Sequence, residues 1–205
     1  MTQSQLQEQL RSLRLGHFAQ ALLQQQSQAT TYDEMSFEER LGLLAQHEIH
    51  CRQDSKVKRL LRQATLRLEA HASRLEYRAE RGLRKDKVAT LLSGQYLHHA
   101  HNIIVTGATG CGKTYFACAL ARQACEQHHT VRYYRLGQLL DELNIGHADG
   151  SYRQQLAQLA KKELLILDDW GMEKLSARQA NDLLDVMEER YQNTSTIIAS
   201  QLPVT

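Results

Sequence analysis
Apolar positions follow two rhythms along this chain of 205 residues. In the first half they recur at helical spacing. Leu6, Leu10, Leu13, Ala19, Leu22 and Leu23 predict a helix over residues 1 to about 30. Ser36, followed three residues later by Glu39 and then by Leu41, Leu44 and Ala45, has the pattern of a capping box opening a second helix. Val57, Leu60, Leu61, Ala64 and Leu68 mark an amphipathic helix, and no proline or glycine interrupts the chain between Ser55 and Arg81. After about residue 100 the rhythm changes. The short runs NIIVT (102–106), TVRYYR (130–135), LLILDD (164–169) and STIIAS (195–200) are apolar or β-rich. They alternate with helical stretches at 113–128, 136–145, 151–162 and 176–191. Strands alternating with helices predict βαβ units, and near-continuous apolar strands predict a parallel sheet covered on both faces.

Charge sharpens the division. Between Arg52 and Lys87 there are twelve Lys/Arg against five Asp/Glu, a net of +7, whereas from His101 onward ten face twelve, a net of −2. A basic block of this kind can serve nucleic acid, or it can be a solvated helical face. No stretch has the ~18 uninterrupted apolar residues of a membrane span, and MTQSQLQEQLRSLRLG lacks the apolar core of a signal peptide, so the expected location is the cytoplasm with no membrane partner. Cys51, Cys111, Cys118 and Cys125 form no C-x-x-C pair; Cys118 and Cys125, seven apart, read as small apolar fillers on one helix face. His98, His99 and His101 read as a polar loop before a strand rather than a metal site.

The chemistry concentrates in GATGCGKT. Gly107, Gly112, Lys113 and Thr114 match G-x-x-x-x-G-K-[ST] at every defined position, with a strand before and a helix after. Glycines there let successive backbone N–H groups turn inward onto phosphate oxygens, and the helix N-terminus adds a positive dipole end. The expected nucleotide cradle is Gly107, Ala108, Thr109, Gly110, Cys111, Gly112, Lys113, Thr114 and Tyr115, with ATP and Mg²⁺ as ligands. Lys113 would reach the β- and γ-phosphates and the Thr114 hydroxyl the metal. A glycine-rich turn without a ligand is the alternative. Asp168 and Asp169, at the end of an apolar strand, supply the second half of the expectation: Asp168 for the Mg²⁺ shell and Asp169 as general base on the attacking water. Ser200 or Gln201, ending the fourth strand, would sense the γ-phosphate, or simply be a polar strand end.

GATGCGKTYFACALARQA, VRYYRLGQLLDEL, DGSYRQQLAQL, LLILDDWG and RYQNTSTIIASQLPVT together resemble the IstB family, the ATP-binding helper proteins of bacterial insertion sequences, related to the DnaC helicase loader within the AAA+ ATPases. The N-terminal LRLGHFAQALLQQ, SFEERLGLLAQHE and KVKRLLRQA are similar to the family's helical region, so the resemblance covers almost the whole chain. It implies an α/β P-loop NTPase (AAA+) three-layer core with a parallel sheet, over residues 71–205, behind a small all-α domain over 1–70 that binds DNA or a partner. It also implies ATP-dependent assembly into a ring or spiral on duplex DNA, and an IstA-like partner transposase directed to or activated at that DNA. By position, Lys113, Asp169 and Ser200 take the catalytic roles. Two departures follow. Asp168-Asp169 stands where many AAA+ proteins have Asp-Glu, and the shorter acid implies slow hydrolysis suited to a switch. The family's C-terminal lid, with its sensor arginine, lies beyond SQLPVT, so the expectation is a core without it.

Candidate DNA contacts are Lys56, Lys58, Arg59 and Arg62 on the basic helix, Arg78 and Arg81 beyond it, and Arg153, Lys161 and Lys162 after the second strand; each can equally be a solvated surface charge. Contacts of this type would be salt-sensitive and largely independent of sequence. Two other functions stay open: a DnaC-like helicase loader or adaptor, and another P-loop enzyme such as a small-molecule kinase.

Overall fold
The computed structural model describes residues 2–77, 82–172 and 174–202, and the chain divides into two compact units, Met1–Lys58 and Arg59–Thr205. The first is helical, built from α1 (Gln3–Ser12), α2 (Gly16–Ser27), α3 (Ala29–Tyr32) and most of α4 (Phe37–Ala64). The Ser36–Glu39 capping box forms as expected: the Glu39 amide donates to the Ser36 hydroxyl at 3.2 Å and the Ser36 amide to the Glu39 carboxylate at 2.8 Å. Thr2 and Gln5 do the same for α1. Helix α2 has no side-chain cap of its own. The carboxylate of Glu48, buried on α4, accepts the first-turn Phe18 amide at 2.7 Å and takes a 2.7 Å bond from Arg52. Burial opposes ionisation of Glu48, but the Phe18 amide and Arg52 outweigh it and hold the carboxyl below its usual range.

The second unit is an α/β layer structure. Its sheet contains β1 (Ile103–Thr106), β2 (Val131–Arg135), β3 (Leu164–Trp170) and β4 (Ser195–Ser200), all parallel, in the order β1-β4-β3-β2. These strands match the four apolar runs. Alternation along β3 sorts its side chains between two cores. Leu164 and Ile166 join Phe116, Leu120 and Cys125 of α7 (Lys113–Glu126) on one face. Leu165 and Leu167 join Leu139, Leu143, Leu159, Leu183 and Val186 on the other, from α8 (Leu136–Asp149), α9 (Tyr152–Ala160) and α10 (Ala177–Arg190). Cys118 and Cys125 are fully buried, and burial pushes both thiols up, Cys125 to about 12, which makes them the apolar fillers expected. Arg190 is 1 % exposed and donates to the carbonyls of Leu159, Lys162 and Ser195 and to the Thr196 hydroxyl, tying the end of α9 to β4; burial lowers it to about 10, so it is charged at neutral pH.

Three expectations need correction. The single helix over residues 1–30 is instead α1, α2 and α3. The first break is at Arg14, which adopts φ 60 while its carbonyl accepts a bond from Arg52. The amphipathic helix through Leu68 stops at Ala64. Thr65 turns left-handed at φ 52, with its hydroxyl on the Ala64 carbonyl (2.8 Å) and near that of Tyr133 (3.4 Å), so no glycine or proline was needed to end it. Beyond it the chain runs irregularly to a 3-10 turn at Ala72–Arg74. The polar loop around the histidines begins with helix: α5 (Lys85–Leu92) and α6 (Gln95–His98) precede β1, and only His99 and His101 lie outside helix. Among the described residues no helix is long and apolar enough to cross a membrane.

Candidate functional site
Strand β1 delivers the chain into Gly107–Gly112, and α7 starts at Lys113. Gly110 at φ 79 and Gly112 at φ 92 occupy the left-handed region that folds the loop back over the start of α7. Gly112 caps α7 without a side-chain bond, so the first-turn amides are left for an anion. Lys113 Nζ donates back to the carbonyls of Gly107 (2.8 Å) and Ala108 (2.9 Å), which holds the ammonium against the loop that would cradle phosphate.

Face parity places the acids. Residues 164, 166 and 168 share the α7 side of β3, so Asp168 meets Thr114: the threonine hydroxyl donates to Asp168 Oδ2 at 2.7 Å. The same oxygen accepts the Tyr133 hydroxyl at 2.7 Å, and Oδ1 accepts the Asp169 amide at 2.9 Å. Burial, followed by the hydrogen bond to Asp168, pushes the Tyr133 phenol upward, so it is a fixed neutral donor. Asp168 itself is 2 % exposed. A hydroxyl and a buried carboxylate 2.7 Å apart, beside an open helix N-terminus and a lysine, are an oxygen donor set suited to Mg²⁺ on a phosphate chain.

Asp169 departs from strand geometry. Leu167 pairs with Ile198 and Trp170 with Ser200, so two residues of β3 face one of β4: a bulge, with Asp169 at φ 60. The bulge turns Asp169 out of the alternation and brings it to two cations. Asp169 Oδ2 lies 3.4 Å from Arg67 Nη1 and 3.3 Å from Arg135 Nε. Arg67, Thr109, Gly110, Gly112, Lys113, Thr114, Tyr115, Asp168, Asp169 and Gln201 line a single cleft of about 370 Å³.

Lys113, Thr114, Asp168 and Asp169 are therefore brought together. Ser200 is placed differently: it is 5 % exposed, its hydroxyl donates to the Trp170 carbonyl (3.1 Å) and accepts the Leu202 amide (3.0 Å). That hydroxyl closes the ends of β3 and β4. Gln201 faces the loop instead, taking a 2.7 Å bond from the Thr109 hydroxyl. Sequence reasoning missed Tyr133, Arg135 and Arg67. Arg135 ends β2 at the carboxyl edge of a parallel sheet, where such folds bind ligands, and that signal was there to use. Arg67 carried none, because the helix was expected to continue through it.

The basic candidates are exposed at Lys56, Lys58, Arg59 and Arg62 on α4, at Arg153 on α9 and at Lys161, and Lys162 is half-buried. Arg78 and Arg81 lie outside the described residues.

Comparison with known proteins adds two kinds of finding. Residues 8–205 match the family model described as IstB-like ATP binding protein. A Pseudomonas fluorescens protein described as an insertion sequence IS1162 ATP-binding protein is 46% identical over 204 residues, 99% of this chain and 87% of that one. A Sinorhizobium fredii insertion sequence ATP-binding protein is 40% identical over 84% of this chain and 70% of its own. Among solved structures, the DnaC helicase loader superposes with a TM-score of 0.57 at 20% identity, over 72% of this chain and 81% of that one. DnaA from Aquifex aeolicus gives 0.61 at 18% identity, over 67% and 43%. The structural likenesses speak for the fold alone.

Proposed function
The chain belongs to the IstB-like ATP-binding protein family, and on that premise we propose that it is an ATP-driven helper of DNA transposition. In this reading the loop Gly107–Gly112 and the first turn of α7 bind the phosphates of ATP. Copies of the chain then assemble in a ring or spiral on duplex DNA, and the assembly directs or activates a partner transposase. The observation that carries the reading is the 2.7 Å contact of Thr114 with Asp168 at the mouth of an uncapped helix, within a cleft that also holds Lys113 and Asp169.

Each residue has a task. Lys113 leaves the Gly107 and Ala108 carbonyls for the β- and γ-phosphates. Thr114 and Asp168 would hold Mg²⁺, which supplies charge neutralisation on the phosphate chain when bound. Tyr133 keeps the Asp168 carboxylate in place by its hydroxyl. Asp169 takes the proton from the attacking water at its carboxylate. Gln201, bonded to Thr109, registers the terminal phosphate. Hydrolysis is slow, because aspartate is one methylene shorter than the glutamate common at this position, and so it serves to end the assembled state. The exposed cations Lys56, Lys58, Arg59 and Arg62, with Arg153 and Lys161, supply phosphate-directed DNA contacts.

Affinity capture separates this function from a helicase-loading one on the same fold. With ATP and duplex DNA present, the tagged chain is expected to retain an IstA-like transposase. Recovery of a replicative helicase in its place would contradict the reading.

A further inference from the structure
Residues 65–75 follow α4 and have the look of a connector, but their contacts belong to the cleft. The Thr65 hydroxyl lies 3.4 Å from the Tyr133 carbonyl, at β2. The Tyr115 hydroxyl accepts the His71 amide at 3.3 Å and lies 3.4 Å from the His71 carbonyl, at the first turn of α7. Ala70 is fully buried, and Leu66 and Leu75 pack on the α7 core. Between these anchors Arg67 reaches Asp169 at the end of β3, and Arg67 and Leu68 line the phosphate cleft. The segment is thus tied to three elements that build the site.

We propose that Arg67 is a positioning residue for the Asp169 carboxylate, and that residues 65–75 form a wall of the nucleotide cleft. The proposal rests on the reading of Asp169 as the base. Arg67 and Arg135 come from different elements and meet the same oxygen, Oδ2. Two cations on one carboxylate oxygen fix rotation about the Cβ–Cγ bond, which is broad when unconstrained. The other oxygen, Oδ1, is then the one presented to a proton. Orientation matters more here than for a longer acid, because an aspartate in a bulge cannot reach by changing an extra torsion. The pair is about one-third exposed on each side, at 39% and 36%, so it is poorly suited to holding the fold together and well suited to aiming a side chain.

The experiment is a double-variant cycle on the full chain, combining Arg67→Ala with Asp169→Asn. Single-turnover rate at saturating ATP, KM for ATP, and the nucleotide-free melting temperature are read together. Arg67→Ala alone is expected to slow the saturating rate by about tenfold with KM changed by less than about twofold. Arg67→Lys should recover part of the rate. In the Asp169→Asn background, Arg67→Ala should change neither the rate nor the melting temperature further. A KM increase with unchanged rate would make Arg67 a direct nucleotide contact and overturn the proposal, as would an equal loss in both backgrounds. Failure of the underlying reading looks different: Asp169→Asn itself would then turn over at the normal rate.

Discussion
Asp169 sits at φ 60, in a region that costs most L-residues roughly 1–2 kcal/mol and that Asp and Asn tolerate best. The bulge, the left-handed backbone and the choice of aspartate over glutamate are consistent with one another: the backbone turns the carboxylate toward the cleft, so a shorter side chain serves. That consistency makes Asp169→Asn a useful variant, since asparagine keeps the backbone conformation while the carboxylate, and with it the charge facing Arg67 and Arg135, is removed. ATP affinity should be retained, while hydrolysis falls by about 10²-fold or more. Equilibrium binding and phosphate release on the same sample check this; undiminished release would remove Asp169 from the chemistry. The identities of Lys113, Thr114 and Asp168 were legible in the sequence because each depends on local spacing and on strand parity. The ion pairs of Asp169 were not, because they depend on a bulge that no periodicity records and on residues 102 and 34 positions away along the chain.

At the scale of elements, the four strands and the helices after them were readable, since apolar runs buried on both faces leave little choice of pairing partner. The order β1-β4-β3-β2 puts β4 between the loop strand and the acid strand, which is what brings Gln201 alongside Thr109. Helix ends were less legible. Thr65 ends α4 through contacts made across the fold, and α2 starts on a carboxylate borrowed from α4. Glu48 therefore lends the helical unit an acid-sensitive stability. Its carboxyl is held below the ordinary value of 4.5 in the folded chain, so its contribution is fully present above that value and is lost as pH falls through the lowered one. Glu48→Gln should cost about 1–3 kcal/mol at neutral pH. It should also flatten the fall in melting temperature between about pH 5 and pH 3. Calorimetric or circular-dichroism melts across that range check both, and an unchanged acid slope would show that Glu48 is not the titrating group.

For the molecule as a whole, the chain has two compact units: a helical one ending within α4, and a P-loop core carrying the acids. The basic segment seen in the sequence leads into the wall of the cleft, with Arg59 and Arg62 followed closely by Arg67. The cations proposed to meet DNA and the arginine that lines the cleft thus lie close together on one stretch of chain. In the proposed function, the phosphate held at Gly107–Thr114 decides whether copies of the chain stay assembled on DNA. Electron microscopy of the chain with duplex DNA tests it most directly, comparing ATP with ADP and the native chain with Lys113→Ala. Rings or spirals on DNA with ATP, few or none with ADP, and none for Lys113→Ala are the predicted result. Assemblies that form equally with ADP, or that survive Lys113→Ala, would contradict it.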